Sequence, residues 1–401
     1  MLSNKFFPVL LVVASFFLPS MLYLGSSNFL GYDSYYFLAE VCGGNPIYDA
    51  PSNAPLHDAL LSALPCNDFL LKLLLVVLLG LSMLIIYAIG EDYSKGWGKY
   101  TTLFVMVSPI LIYNSFKFEN DAFAFPIIYL ATFFFLRHLR EKQKTATTFL
   151  KVKKNYIYLF LTLACLTIAT LFWGGSFYTL LFFSLFEPIL FLITIPLLFV
   201  FGSPLFQSAL PRFDVNENNP LQGMLSVLFF IGQLVFPRTK RVFNFPYFWL
   251  TMFFVVFGLI NPKFMILALP LIGLALANAF NLASVDGKQK MLLLATICII
   301  GFSLPIGLGS LHPNSIEHDA VQDLVNLGVD ENKVLFNDWS YGHMVYYYGG
   351  ATYQRASPDR KLVVSNSFEN GLVLTRHDLN CGLVKKYDAP SVIGALKLYR
   401  C

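Results

Sequence analysis

FLLKLLLVVLLGLSMLIIYAI, Phe69–Ile89, runs for twenty-one residues with a single charge, Lys72. A helix needs about twenty consecutive apolar residues to cross the hydrocarbon core of a bilayer, so this stretch reads as a membrane span. Comparable runs flank it on both sides, at roughly 6–24, 100–114, 122–136, 156–172, 177–202, 223–237, 242–260, 264–281 and 291–309. Length alone would allow 401 residues to form two or three soluble domains, but 56% of them are hydrophobic and 13% charged, with a mean hydropathy of +0.61. Soluble chains carry about 25% charged residues. With 41 Phe and 21 Tyr the chain cannot present a polar surface throughout, which excludes an ordinary cytosolic globule, and it is too apolar to be disordered. A net charge of +4, unevenly placed, gives no argument for nucleic-acid binding. The fold class expected is a polytopic α-helical membrane protein.

Charge placement orients it. Arg137 to Lys154 holds seven Lys/Arg against one acid, Glu141, and a second basic cluster sits at Arg238, Lys240 and Arg241. The positive-inside rule makes both cytoplasmic. No Lys or Arg occurs between Phe6 and Leu71, a span holding Asp33, Glu40, Asp49, Asp58 and Asp68, so that first loop is expected outside. The first span reads as a retained anchor rather than a cleaved signal, because it is long and continues into a tyrosine-rich segment. Counting about 11 crossings from a cytoplasmic N-terminus then puts Asp33, Glu119-Asn120-Asp121, the Pro204 to Leu221 loop and everything after Ser310 on one external face. The 26 apolar residues Phe177 to Gly202 must cross twice, as two short or re-entrant helices broken at Glu187-Pro188, since Pro ends a helix and a mid-run Glu is costly in lipid.

Residues 1–310 form the expected transmembrane part and 311–401 a small external α/β domain. In the latter, Ser315 is expected to cap a helix ended by Gly328. Val334 to Phe336, Met344 to Tyr348, Leu362 to Val364 and Ala395 to Tyr399 read as strands. Four cysteines, Cys42, Cys66, Cys381 and Cys401, fall outside, suiting pairs Cys42–Cys66 and Cys381–Cys401, with free thiols as the alternative. Cys165 and Cys298 lie in apolar spans.

Five external features could carry chemistry. Gly31-Tyr32-Asp33-Ser34-Tyr35-Tyr36 follows the first span, where Asp33 is either functional or a solvated loop residue. In Phe118-Glu119-Asn120-Asp121 two acids could aim at one cation or simply favour a helix start. Arg212 to Pro220 is a polar loop containing Glu217. Lys263 is a lone cation between spans, able to snorkel as a plain anchor. Asn337-Asp338-Trp339-Ser340-Tyr341-Gly342-His343 follows a strand, and a lone histidine there is more often packed than a ligand. Together they put three acidic groups on one face of a bundle. Carboxylate oxygens select a hard divalent ion, Mg²⁺ or Mn²⁺, suited to neutralising the charge that grows on a phosphate leaving group.

The order of these motifs resembles the catalytic subunits of oligosaccharyltransferases, of the GT-C superfamily, in a short, diverged, archaeal-like form. Val215-Asn216-Glu217-Asn218-Asn219-Pro220 is similar to the family's Val-Ser-Glu-His-Gln-Pro loop, Trp173-Gly174-Gly175 to its Trp-Gly-Gly turn, and Asp33-Ser34-Tyr35-Tyr36 to its first-loop Asp motif. Glu119-Asn120-Asp121 matches the second acidic motif with its acids exchanged. Lys263 falls where the family has an arginine contacting the lipid pyrophosphate, and Asp338 to His343 resembles the Trp-Trp-Asp-Tyr-Gly segment. The resemblance implies that Asp33, Glu119, Asp121 and Glu217 hold the metal, that Asp33 and Glu217 grip the acceptor carboxamide, that Lys263 holds the donor pyrophosphate, and that Asp338, Trp339, Ser340, Tyr341, Gly342 and His343 bind the acceptor. The family's sequon-reading aspartate is replaced by Ser340, with an acid at Asp338 instead.

The implied activity is inverting transfer of a glycan from a polyprenyl-(pyro)phosphate donor to a protein asparagine, at the outer face of a prokaryotic membrane or, alternatively, in the endoplasmic reticulum. Two other readings stand beside it. One is a GT-C transferase moving a sugar from polyprenyl phosphate to a glycan or lipid; the other is a transporter of lipid-linked sugars.

Overall fold

The computed structural model describes residues 7–26, 28–31, 33–42, 55–144, 149–190, 192, 262–282, 289, 314–331, 333–337, 341–349, 353–355, 371–388 and 395–401. The expected spans at 223–237, 242–260 and 291–309, the strand at 362–364, Glu217 and Asp338 to Ser340 lie outside the described residues.

Ten helices are described through residue 282: α1 (Phe7–Gly25), α2 (Ser34–Val41), α3 (Pro55–Leu61), α4 (Asp68–Tyr93), α5 (Gly98–Met106), α6 (Pro109–Ser115), α7 (Asn120–Lys144), α8 (Phe149–Phe172), α9 (Ser176–Ser184) and α10 (Pro262–Leu282). Three described helices, α1, α4 and α7, are long and apolar enough to cross a membrane. Their neighbour α8 presents Ile157, Phe160 and Ile168 outward, as α1 presents Leu10, Phe17 and Met21 and α4 presents Leu73, Val77, Leu81 and Leu84. A ring of exposed large apolar side chains at helical spacing is the surface a bilayer covers.

The loops between these helices sort to two ends. At one end the Tyr23 ring stacks on Phe116 at 4.4 Å and Phe123 stacks on Phe172 at 6.3 Å. At the other, Arg137 donates to Asp92 at 2.9 and 2.7 Å, and His138 and Lys142 each reach Glu187 at 2.8 Å. Lys72, the charge inside the opening apolar stretch, is buried and donates to the Ser26 carbonyl at 2.6 Å. It meets the negative end of α1 and lies 5.0 Å from the centre of the Phe29 ring.

One span departs from its sequence outline and another follows it. The run 100–114 is two helices, because Pro109 cannot donate the hydrogen bond that would continue α5; it instead occupies the first turn of α6. Within 177–202 the helix breaks after Ser184 and resumes at Pro188, as expected. Glu187 is not stranded in lipid, since it pairs with the end of α7 that enters the basic loop.

The C-terminal region is α/β. Helices α11 (Ser315–Glu331) and α12 (Gly342–Gly349) accompany strands β1 (Val334–Asn337), β2 (Tyr353–Arg355), β3 (Gly371–Thr375), β4 (Gly382–Tyr387) and β5 (Leu396–Arg400) in a sheet of order β2-β1-β3-β5-β4. β1 is parallel to β2 and β3, while β5 is antiparallel to β3 and β4. Three expectations are corrected here. The N-cap of α11 is Asn314, not Ser315: the Asn314 side chain accepts from Glu317 N at 3.0 Å and Glu317 returns the bond to Asn314 N at 2.9 Å, a reciprocal capping box. Gly328 does not end α11. A Cβ there would lie 2.2 Å from Leu335, so the glycine lets the helix pass close over β1. Met344 to Tyr348 is helix, not strand, because Tyr341, Met344, Val345 and Tyr348 recur at helical spacing and turn toward the core, which overrides the β propensity of the tyrosines. Both expected disulfides, Cys42–Cys66 and Cys381–Cys401, are formed, and Cys165 is a free thiol.

Candidate active site

The first loop and the second acidic motif meet at the Tyr23–Phe116 end of the bundle. Leu30 pairs with Lys117 in a parallel β-bridge. Ser34 donates to Leu30 O at 2.5 Å and accepts from Phe118 N at 2.9 Å, stitching the residue after Asp33 to the residue before Glu119. The turn between them needs Gly31, whose φ is +81°. A side chain there would also lie 2.8 Å from Glu119 Oε1 and 3.1 Å from Lys117 Cγ.

The carboxylates occupy distinct settings. Asp33, at the N-cap of α2, is 49% exposed, and its Oδ1 lies 3.8 Å from His343 Nε2 in the first turn of α12. Asp121 is fully buried in the first turn of α7, where the helix dipole favours an anion. Glu119 faces Lys117 at 3.5 Å, both side chains 4% exposed, and the Lys117 ammonium sits 4.7 Å from the centre of the Tyr113 ring. Lys117 lies among these candidate residues and is not among those the sequence singles out. Its signal was present, a lysine two positions before an acidic motif in a chain that places few cations at this end. Among the described residues no group of three or more His, Cys, Asp or Glu is disposed to hold a metal ion; Glu217 is outside them. The donors here are all carboxylate oxygens, the chemistry a hard divalent ion selects.

The Trp173-Gly174-Gly175 turn links α8 to α9 at the same end. Trp173 packs edge-on to Phe125 at 6.0 Å, and a Cβ on Gly175 would come within 2.3 Å of the Trp173 ring, so a larger residue at 175 would have to displace that ring. Lys263 is in the first turn of α10. That helix begins on the acidic side, because Tyr129 of α7 donates to Ile266 O at 3.0 Å, and it runs toward Phe280, whose ring lies 5.1 Å from Tyr100.

The C-terminal region closes over this end. Tyr341 is buried and donates to Glu317 at 2.9 Å, while Arg376 reaches the same carboxylate oxygen at 2.6 Å and Tyr341 at 2.8 Å. Burial, reinforced by the Glu317 charge, raises the Tyr341 hydroxyl well above its ordinary pKa, keeping it a neutral donor. Gly342 is buried beside it and His343 packs against Tyr36, ring centres 5.2 Å apart. Next to Glu317, His318 bonds Tyr35 through Nε2 at 2.9 Å and Tyr348 through Nδ1 at 2.5 Å. Burial lowers its pKa to about 4, with Glu317 opposing that shift and Lys72 adding to it. The structure therefore brings Asp33, Glu119, Asp121 and His343 to one end of the bundle, with the start of α10, which carries Lys263, on the same side.

No protein-family model and no curated protein matches the chain. Among solved structures it is similar to ArnT from Cupriavidus metallidurans bound to undecaprenyl phosphate, with a TM-score of 0.58 and 12% identity over 97% of both chains. The apo state of ArnT gives a TM-score of 0.54 at the same identity and coverage. The oligosaccharyltransferase of Archaeoglobus fulgidus, tethered with an acceptor peptide containing the NVT sequon, gives 0.53 at 12% identity, over 93% of this chain and 69% of that one. At such identity the likeness is one of fold: the chain has the fold shared by ArnT and the archaeal oligosaccharyltransferase.

Proposed function

We propose that the chain is an integral-membrane glycosyltransferase that takes a glycan from a polyprenyl-(pyro)phosphate donor with inversion and, in its first reading, delivers it to a protein asparagine amide. The observation that carries this is the union of the first-loop Asp33 segment with Glu119-Asn120-Asp121 through Ser34 and the Leu30–Lys117 bridge, on a fold shared with a protein bound to undecaprenyl phosphate and with an oligosaccharyltransferase. Asp33, Asp121 and Glu217, with Glu119 beside them, would hold a divalent cation, Mg²⁺ or Mn²⁺. When bound, it supplies positive charge against the anion that departs from the anomeric carbon. Lys263 would hold the donor phosphate as a point charge, without the two-pronged grip of an arginine. Asp33, at the rim, and Glu217 would orient the acceptor amide; His343 and the Asp338 to Ser340 segment would line its approach. The reacting face lies outside the cell in this reading, and the lipid donor enters from the bilayer.

A second reading moves a sugar from polyprenyl phosphate to a glycan or lipid. It is favoured by Ser340, which stands where the sequon-reading aspartate would be, and by the full-length overlap with ArnT against 69% of the oligosaccharyltransferase. Incubating membranes with a labelled lipid-linked donor and an Asn-X-Thr peptide separates the two: labelled peptide supports the first, label only in lipid or glycan the second. Glu217→Ala should abolish transfer while the protein stays folded in detergent, and near-normal turnover would remove Glu217 from the site.

A further inference from the structure

We infer that Glu317 and His318 are positioning residues, a two-sided clamp on one turn of α11 that fixes Asp33 against His343; this rests on the glycosyl-transfer reading for its consequence in turnover. Neighbours on a helix point about 100° apart, so one dipeptide can hold two different elements. Glu317 takes the α12 side, its buried carboxylate accepting at 2.9 Å from Tyr341, immediately before α12 begins, and at 2.6 Å from Arg376, just after β3. His318 takes the α2 side. Its ring bridges Tyr35, two residues after Asp33, and Tyr348, five residues after His343. With its pKa lowered to about 4 by burial the imidazole is neutral, with one donor and one acceptor nitrogen; one tyrosine hydroxyl gives it a proton to share and the other receives one. The rings of Tyr35 and Tyr347 meet at 5.4 Å and those of Tyr36 and His343 at 5.2 Å, so α2 and α12 are packed on each other as well as tied to α11. Asp33 Oδ1 and His343 Nε2, 3.8 Å apart, are what this leaves at the rim. An acceptor seated there meets a gap set by two hydrogen-bond networks, and displacement of about 1 Å in such a gap can cost 100-fold in rate.

The test uses the full-length protein in detergent or nanodiscs. In His318→Phe a ring is kept and the hydrogen bonds are lost. In His318→Gln one donor and one acceptor are kept and the ring is lost. Tyr35→Phe removes a single hydroxyl and guards against a variant that fails to fold. Hydrogen exchange of the amides of α2 and α12 should quicken at least tenfold in His318→Phe and Tyr35→Phe, with α4 unchanged. In transfer, kcat should fall 10- to 100-fold with the donor KM within twofold, and His318→Gln should recover more of kcat than His318→Phe. Unchanged exchange overturns the clamp, as does a His318→Phe enzyme that outperforms His318→Gln, which would mean the ring only packs. The exchange result decides the clamp even if no lipid-linked donor is turned over, in which case the transfer reading falls separately.

Discussion

Lys117→Met is the perturbation whose size the structure sets most directly. The ammonium and the Glu119 carboxylate are 3.5 Å apart with side chains 4% exposed, so neither charge has water to replace its partner. At an effective dielectric of about 20, unit charges at that separation attract by about 5 kcal/mol, and desolvation of both groups offsets much of this in the intact pair. Removing one partner leaves the other's desolvation uncompensated. Breaking a buried pair in this way costs about 3–5 kcal/mol, whereas replacing both partners with neutral groups of similar size is often close to neutral. The expected pattern is thus a loss of about 3–5 kcal/mol for Lys117→Met and recovery of most of it in Lys117→Met/Glu119→Gln. Unfolding in mixed micelles on SDS titration, followed by tryptophan fluorescence, measures both against wild type and against Glu119→Gln to complete the cycle. A single variant within about 1 kcal/mol of wild type, or a double variant as unstable as the single, refutes a paired buried charge at this position.

Three further outcomes follow from the geometry. Gly31→Ala places a side chain at φ +81° and against Glu119; it should lose about 1–2 kcal/mol from the left-handed backbone alone and reduce transfer by displacing Asp33, whereas unchanged stability would contradict the turn. Alkylation of the unfolded, non-reduced protein should spare four cysteines that react after reduction, and loss of Cys42–Cys66, which closes a loop of 24 residues, should cost about 3 kcal/mol in the loop-entropy account; six reactive thiols before reduction would contradict both pairs. His57 and His318 have pKa values lowered by burial to about 4, below about 6.5 in the unfolded chain. A depressed histidine favours the fold fully above the unfolded value and loses that contribution as pH falls toward the folded one, so stability should drop between pH 6.5 and 4 by about 3 kcal/mol per histidine, and His318→Phe should flatten part of that slope.

The parts of this fold that were legible in the sequence are those set by local composition. A lipid-facing helix needs a long apolar run wherever it packs, so α1, α4, α7 and α10 lie where the hydropathy puts them, and Glu187-Pro188 marks a break because both residues resist mid-membrane helix. Asp33, Glu119 and Asp121 share one end because each crossing reverses direction. What could not be read depends on partners far along the chain. Nothing local to Ser34 says that it will bond Phe118 N, and nothing local to Lys117 says that it will be buried against Glu119 and Tyr113. The tyrosines at 346–348 favour a strand by propensity, and only the packing of α12 against α2 and α11 makes them helical. Asn314 outranks Ser315 as a cap because Glu317, drawn toward Arg376 and Tyr341, can return the bond from three residues on.

Charge at the acidic end carries one consequence for substrate order. Lys117 is already matched by Glu119, and Lys72 is turned to the Ser26 carbonyl and two aromatic rings. These two buried cations are therefore engaged with the chain itself, while Asp33 and Asp121 add negative charge beside them. A polyprenyl phosphate approaching that end would bring more negative charge, against which the proposed donor ligand Lys263 would supply one point charge. In the proposed reading, donor binding then requires the divalent cation, not merely the subsequent chemistry. The donor Kd, measured by displacement of a fluorescent polyprenyl phosphate from detergent-solubilised protein, should rise at least tenfold when chelator removes divalent ions, and Asp121→Asn should make binding less dependent on them. Equal donor affinity with chelator and with Mn²⁺ would show that lysines suffice for the phosphate and that the carboxylates serve the acceptor instead.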